Sequence, residues 1–137
     1  MLKMTIADIE GLMDRHFPES KRLWSITNLV ENEVTLHMRF RQDLVRAGGT
    51  ISGPAMMALA DTAAYFVTLA HAGPLPHMAT ANLDIHFLAR PDPVDIIATA
   101  RLLRLGRRLA VSTVAIRSAG ADDVVAHATV TYALPAT

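Results

Sequence analysis

The chain has 137 residues, which is enough for one domain with a hydrophobic core and short for a two-domain enzyme. Hydrophobic residues make up 51% and charged residues 19%, a composition that argues against disorder and indicates burial of more than one face. Thirteen basic and thirteen acidic residues cancel, so we expect no bulk attraction to nucleic acid or to an anionic membrane. The lack of cysteine excludes disulfides, thiolate metal sites and a cysteine nucleophile.

The N-terminal third predicts a helix followed by a hairpin. Apolar residues recur at helical spacing over residues 5–17, where Thr5 can cap the helix and Pro18 ends it. From residue 23 to residue 40 the apolar period changes to two, which is typical of strands. The polar segment 31–33 divides this run, so two strands joined by a turn are predicted.

The centre of the chain predicts a glycine-containing loop, residues 41–53, and then an apolar helix over about 53–72. Pro54 suits the first turn because the N–H that proline lacks would have no partner there, and Ser52 or Gly53 can cap the helix. Apolar residues occur on nearly all sides of this helix, so we expect it to be buried.

Four strands are predicted after the central helix, at residues 80–88, 94–105, 109–118 and 124–134. Short turns separate the later strands, so we expect successive strands to pair as an antiparallel meander. A strongly curved antiparallel sheet that wraps one helix accounts both for the buried central helix and for the antiparallel strands. The whole chain, residues 1–137, is therefore predicted to form a single α+β domain with the hotdog fold.

Candidate chemistry lies in the central helix. The first N–H groups of a helix have no intrahelical partner and lie at the positive end of its dipole, so those at the start of this helix can hold a developing oxyanion or a carbonyl. Asp61 lies seven or eight residues further along, about 11 Å up the axis, where a carboxylate in apolar surroundings can act as a base or a nucleophile. The structural alternative for Asp61 is pairing with an arginine or a backbone N–H. Together, the N–H groups at the start of the helix and the Asp61 carboxylate favour acyl chemistry.

Four sequence segments, taken in their order along the chain, indicate a resemblance to a known protein family. The first is Gly53-x5-Leu59-Ala60-Asp61-Thr62-Ala63, and the others are residues 80–91, the turn Leu105-Gly106-Arg107-Arg108 and residues 125–132. In this order they resemble the hotdog-fold acyl-CoA thioesterases of the phenylacetate-pathway (PaaI-like) type. The resemblance covers roughly residues 40–135.

The resemblance implies an acyl-CoA thioester hydrolase that uses no cofactor. Asp61 would be the base or nucleophile, and the Gly53 N–H would donate to the thioester oxygen. In hotdog dimers the two central helices lie side by side, so Asp61 of one subunit would face Gly53 of the other. A homodimer is therefore expected, with a homotetramer as the further assembly, and a neutral chain with an apolar excess agrees with self-association.

One departure from the family pattern lies at the start of the central helix. This chain has Ser52-Gly53-Pro54 where the family has His-Gly-Gly. Gly53 keeps the N–H that would face the thioester oxygen, whereas Pro54 has none. Ser52 could hydrogen-bond the thioester carbonyl and so share in catalysis, or it could only cap the helix.

Candidate substrate-binding residues lie on the later segments. Asn82, Asp84 and His86 form a polar stripe on one predicted strand, and the favoured interpretation is a sheet face at a subunit contact. The alternative is that Thr80 or Asn82 reaches the thioester end of the substrate. Arg90, Arg107 and Arg108 are candidates for CoA phosphates, because phosphates need fixed cationic donors. The alternative for the arginines is a solvated surface role. The six histidines show no metal-ligand spacing, so no metal site is predicted.

The sequence therefore predicts hydrolysis of a small or medium acyl-CoA to the free acid and CoA. Few aromatic residues occur in the segments expected to line the pocket, which favours aliphatic acyl chains. One alternative is a non-catalytic acyl-CoA-binding module, which the replaced histidine favours. The other is an enoyl-CoA hydratase, which would need an acid/base pair that the segment around Asp61 does not offer.

The expected location is the cytoplasm. Residues 1–10 lack the uninterrupted apolar core of a secretory signal. The longest apolar stretch, residues 55–70, is rich in alanine and contains Asp61, so it falls short of a membrane span.

Overall fold

The computed structural model describes residues 1–18, 24–46 and 48–135. Within these residues the chain forms α1 (Ile6–His16), β1 (Trp24–Val30), β2 (Glu33–Met38), α2 (Gly53–Ala72), β3 (Ala79–Phe87), β4 (Ile96–Leu105), β5 (Leu109–Ser118) and β6 (Val124–Ala133). A short 3-10 turn, Gln42–Leu44, lies in the loop before α2. Leu23, at the start of the predicted hairpin, lies outside the described residues.

The N-terminal helix α1 is confirmed together with its cap. The Thr5 hydroxyl accepts a hydrogen bond from the Asp8 N–H at 3.1 Å, and the Asp8 carboxylate accepts one from the Thr5 N–H at 2.9 Å. This reciprocal pair satisfies two N–H groups that otherwise lack partners at a helix start. The buried face of α1 carries Ile9, Leu12 and Met13, which join the hydrophobic core.

The strands form one antiparallel sheet in the order β1-β2-β4-β5-β6-β3. The predicted meander is correct for β4, β5 and β6, but it is wrong for β3, which pairs with β6 and not with β4. Both sides of β4 are already occupied by β2 and β5. The segment between β3 and β4 contains Pro91 and Pro93, which favour a long crossing connection over a tight hairpin. β3 therefore lies at an edge of the sheet.

Helix α2 is the core of the fold. Ala60, Ala63, Ala64 and Ala70 are fully buried, and their small side chains let the sheet approach the helix closely. Among the described helices, α2 has the length and apolar composition that could cross a membrane, but 67% of that stretch is buried inside the fold. The curved sheet packs against it from β2 to β3. This is the hotdog fold that the sequence predicts.

Two buried serines on β5 provide a test of the core. In the described part of the chain, the Ser112 hydroxyl is buried without a hydrogen-bond partner, whereas the Ser118 hydroxyl accepts a bond from the Asp92 N–H at 3.3 Å. An unpaired buried hydroxyl destabilises the folded state. We expect Ser112→Ala to raise the free energy of unfolding by about 1 kcal/mol and Ser118→Ala to lower it by about 1 kcal/mol, as measured by urea denaturation. Equal losses in both variants would contradict this account.

Candidate active site

The carboxylate of Asp61 is held by two hydroxyl groups. Asp61 lies in the third turn of α2 and is partly buried. The Thr80 hydroxyl, from β3, donates to Asp61 Oδ1 at 2.8 Å. The Tyr132 hydroxyl, from β6, donates to the same oxygen at 2.6 Å. Neither of the structural partners considered for Asp61, an arginine or a backbone N–H, is found among the described residues.

A β-bulge in β3 turns Thr80 toward Asp61. Thr80 lies opposite Tyr132 on β6, and Asn82 lies opposite Thr131, so Ala81 is the extra residue. Strict alternation would place Thr80 and Asn82 on one face, but a bulge shifts the alternation by one residue. Thr80 therefore shares the inner face with Tyr132, while Asn82 is exposed on the outer face. Of these two candidates, the structure brings only Thr80 to Asp61.

Tyr132 was not among the predicted site residues. It is only 4% exposed, its ring packs against Tyr65 with centroids 5.6 Å apart, and its sequence position is 71 residues from Asp61. Burial, reinforced by the hydrogen bond to Asp61, raises the pKa of the Tyr132 hydroxyl well above its ordinary value. Tyr132 is therefore a neutral donor in the working range of an enzyme. The sequence signal was the alternation of β6, which predicts a buried tyrosine that must find a polar partner.

A cavity of about 280 Å³ opens beside Asp61. Four of the seven aromatic residues in the chain line it, namely Phe17, Trp24, Tyr65 and Tyr132. The expectation that few aromatic residues surround the pocket is therefore wrong. These residues come from the end of α1, β1, α2 and β6, so no local segment of the sequence is rich in them.

The start of α2 leaves one backbone donor free in its first turn. The Ser52 hydroxyl accepts from the Ala55 N–H at 3.2 Å, and the Ser52 carbonyl accepts from the Met56 N–H at 3.2 Å. Pro54 has no N–H. Within the described ranges, the Gly53 N–H has no hydrogen-bond acceptor. Gly53 therefore keeps the donor that the sequence predicts for an oxyanion.

Phe87 and Arg90 lie near this helix start. A Cβ atom at Gly53 would lie 3.3 Å from Cζ of Phe87, so the glycine lets the ring pack on the backbone. Gly48, in the preceding loop, has φ +96° and lies against the Arg90 guanidinium, where an added Cβ would be 3.3 Å from Nη2. Such a positive φ favours glycine. The Arg90 guanidinium thus lies against the loop that leads into α2.

The predicted site residues fall into two groups at opposite ends of β3. Thr80 and Asp61 lie at one end. The turn between β4 and β5, which carries Arg107 and Arg108, lies at the same end, because the Leu134 N–H that follows β6 donates a hydrogen bond to the Arg108 carbonyl. Ser52, Gly53 and Arg90 lie at the other end, beside Phe87. Eight residues of α2 separate Asp61 from Gly53, about 12 Å along the axis. One subunit therefore does not bring the carboxylate and the oxyanion donor together.

Ser52 acts as the N-cap of α2, which predicts the effect of its removal. We expect Ser52→Ala to lower the free energy of unfolding by about 1 kcal/mol and to leave kcat nearly unchanged, because its hydroxyl is already bonded to the Ala55 N–H. Denaturation and steady-state kinetics on the same preparation measure both effects. A loss of about ten-fold or more in kcat/KM with little loss of stability would instead give Ser52 a role at the substrate carbonyl.

The described residues contain no group of three or more His, Asp or Glu side chains arranged to hold a metal ion. The Asp61 carboxylate, held by two hydroxyl groups, and the free N–H of Gly53 are available for chemistry. A carboxylate can move a proton or attack a carbonyl, and a free helix N–H can stabilise an oxyanion.

Residues 48–125, more than half of the chain, match the sequence profile of the thioesterase superfamily. The chain belongs to the thioesterase superfamily. A candidate thioesterase from Silicibacter sp. TM1040 is 35% identical, with 98% of this chain and 94% of that chain covered and a TM-score of 0.89. A comparison with curated proteins returns no match.

Two more distant structures share the fold of this thioesterase. A variant of the phenylacetic acid degradation protein PaaI from Thermus thermophilus is 24% identical over 86% of this chain and 99% of that one, with a TM-score of 0.74. Zebrafish thioesterase superfamily member 2 is 19% identical over 97% of this chain and all of that one (100%), with a TM-score of 0.83. The superfamily match confirms that the chain is a thioesterase and, with it, the predicted enzyme class, a thioester hydrolase.

Proposed function

We propose that this thioesterase hydrolyses a small or medium acyl-CoA thioester, with Asp61 as the base or nucleophile. The observation that carries the proposal is the placement of the Asp61 carboxylate, fixed by two hydroxyl groups at the wall of the aromatic-lined cavity. A volume of about 280 Å³ lies just below the usual range of ligand pockets, roughly 300–1,000 Å³, which supports a small or medium acyl group. The aromatic lining suits flat rings as well as short chains, so the expected preference for aliphatic chains is not retained.

The proposed site is shared between two subunits. β3 has β6 on one side and, among the described strands, no neighbour on the other. Its residues are mostly exposed, and Phe87 at its end is 49% exposed. A long free edge is a template for pairing with another strand. Two copies of β3 that pair antiparallel would join the sheets of two protomers into one.

This pairing would complete the site by symmetry. In an antiparallel pair about a two-fold axis near Leu83, the Thr80 end of one strand lies beside the Phe87 end of the other. Thr80 contacts Asp61, and Phe87 packs on Gly53. Asp61 of one protomer and Gly53 of its partner would therefore flank the same thioester. The homotetramer and the cytoplasmic location stay predictions.

Two chemical routes are open to this arrangement. In the first, a water oxygen bonds to the thioester carbon as Asp61 takes its proton, the C–S bond breaks, and Asp61 returns the proton to the leaving sulfur. In the second, the carboxylate attacks, CoA leaves as the thiol after taking a proton from solvent, and water hydrolyses the resulting anhydride. The Gly53 N–H stabilises the oxyanion in both. Single turnover in ¹⁸O-labelled water separates them, because only the anhydride route can place the label in Asp61.

The arginines would bind the CoA phosphates around the mouth of this shared site. Arg107 and Arg108 lie at the Asp61 end of one protomer, and Arg90 lies at the Gly53 end of the other. All three are exposed, and phosphate binding needs such cationic donors at fixed positions. Asn82, on the outer face of β3, is left out of the proposed thioester contacts.

A panel of acyl-CoA thioesters assayed for thiol release tests the proposed function. We expect turnover of small or medium acyl groups, aromatic ones included. Tight binding without turnover would favour the non-catalytic binding module. A change in enoyl-CoA absorbance without thiol release would favour the hydratase.

A further inference from the structure

The two oxygens of the Asp61 carboxylate have different surroundings. Thr80 and Tyr132 both donate to Oδ1, at 2.8 and 2.6 Å. No donor among the residues described in the structure bonds to Oδ2. Rotation of the carboxylate to exchange the two oxygens would break both hydrogen bonds. The carboxylate therefore has one anchored oxygen and one that is free for chemistry.

We propose that Tyr132 is a positioning residue, which together with Thr80 anchors Asp61 Oδ1 so that Oδ2 is the oxygen that takes the proton or attacks the thioester. This inference rests on the proposed role of Asp61. In the general-base route, Oδ2 accepts the proton of water and returns it to the CoA sulfur. In the anhydride route, Oδ2 forms the new bond to the acyl carbon as the C–S bond breaks. The position of Oδ2 decides the rate in either case.

The geometry at Tyr132 supports this role. A distance of 2.6 Å lies in the range for a hydroxyl that donates to a charged carboxylate. The same hydroxyl lies 3.1 Å from the Asp61 backbone carbonyl, but it has a single proton, and the closer, charged oxygen is the stronger acceptor. Because its pKa is raised by burial and by Asp61, Tyr132 cannot act as the base.

Tyr132 is also held rigidly. It is 4% exposed on an inner strand of the sheet, where it pairs with Thr80 on one side and Ala110 on the other. Its ring packs against that of Tyr65. A donor fixed by the sheet positions a catalytic group without the reorganisation that a water molecule would need. Within one protomer β3, which carries Thr80, has a single neighbouring strand, whereas β6, which carries Tyr132, has two, so the protomer by itself holds Tyr132 more firmly than Thr80.

Tyr132→Phe tests the proposal because it keeps the buried ring and removes only the donor. We expect kcat to fall about ten-fold with KM changed less than about two-fold, since misplacement affects the chemical step more than binding. Thr80→Val removes the second donor while keeping the branched shape of the side chain, and should give a similar loss. Thr68→Val removes a buried hydroxyl bond elsewhere on α2, to the Ala64 carbonyl, and should leave kcat unchanged.

A double-mutant cycle distinguishes positioning from general damage to the fold. If Tyr132 acts through Asp61, then adding Tyr132→Phe to Asp61→Asn should change kcat by less than about two-fold. A further ten-fold loss of kcat when Tyr132→Phe is added to Asp61→Asn would overturn the inference. So would Tyr132→Phe and Thr80→Val variants that each keep more than half of the wild-type kcat. If Asp61→Asn itself keeps its activity, the proposed function fails. If Asp61→Asn is inactive and both hydroxyl variants are fully active, only the present inference fails.

Discussion

We expect Asp61→Asn to lower kcat by about 100-fold or more, while the protein stays folded and still binds CoA. Asparagine keeps the size of aspartate, and its amide oxygen can still accept from Thr80 and Tyr132, so the surrounding hydrogen bonds are retained. It lacks the negative charge and the basic oxygen, and loss of a positioned general base typically costs about 10²–10⁴-fold. Steady-state kinetics on the best substrate of the panel, with thermal unfolding of the same sample, measure both properties.

A second carboxylate provides the control for this experiment. Asp122 is exposed in the turn between β5 and β6, away from the cavity. Asp122→Asn makes the same chemical change at the surface, and we expect its kcat to equal that of the wild type. If Asp61→Asn keeps more than about a third of wild-type kcat, Asp61 is not the catalytic carboxylate.

Additional negative charges on β3 are expected to separate the proposed dimer and to abolish most of the activity. Asn82→Glu combined with His86→Glu would place two carboxylates beside Asp84 on each β3, so three acidic side chains per protomer would meet three of the partner. Like charges on neighbouring strands destabilise pairing. We expect a monomer in sedimentation velocity and a fall in kcat/KM of about 100-fold or more, because each protomer would then lack an oxyanion donor.

The other edge of the sheet gives the matched control. Ser25 and Asn28 are exposed on β1, so Ser25→Glu with Asn28→Glu adds the same charge at the edge that is not expected to pair. We expect this variant to remain an active dimer. A monomeric β3 variant with wild-type kcat/KM would refute the shared site, and so would a wild-type protein that is an active monomer at micromolar concentration.

The local features of this fold could be predicted from the sequence because neighbouring residues determine them. The cap at Thr5 and the start of α2 at Gly53 depend on side chains within four residues of the helix start. Burial of α2 follows from its apolar residues on nearly all sides. Asp61 and Gly53 could be singled out because they lie in the same apolar helix.

Long-range features could not be predicted in this way. The pairing of β3 with β6 depends on which strand edges remain free after the whole sheet has formed. The bulge at Ala81 reverses the alternation that placed Thr80 with Asn82. Tyr132 meets Asp61 only because β6 crosses α2, and the aromatic cavity is assembled from four separate elements. No local pattern records such contacts, since they arise from tertiary packing.

Mixed dimers provide the most direct test of the proposed shared active site. Asp61→Asn removes the carboxylate, and Gly53→Pro removes the N–H while keeping a residue that is favourable in the first turn of a helix. Gly53→Ala, which retains the N–H but also contacts Phe87, is the control for the added bulk. As homodimers, Asp61→Asn and Gly53→Pro should each be nearly inactive, whereas the Gly53→Ala control should not.

A heterodimer with one Asp61→Asn protomer and one Gly53→Pro protomer can be co-expressed with two affinity tags and purified. If Asp61 of one protomer works with Gly53 of its partner, one of the two sites has both groups intact and the other has lost both. The heterodimer should then show about half of the wild-type kcat per dimer. If each site lies within one protomer, both sites carry a defect. A heterodimer no more active than its two parents would therefore contradict the account.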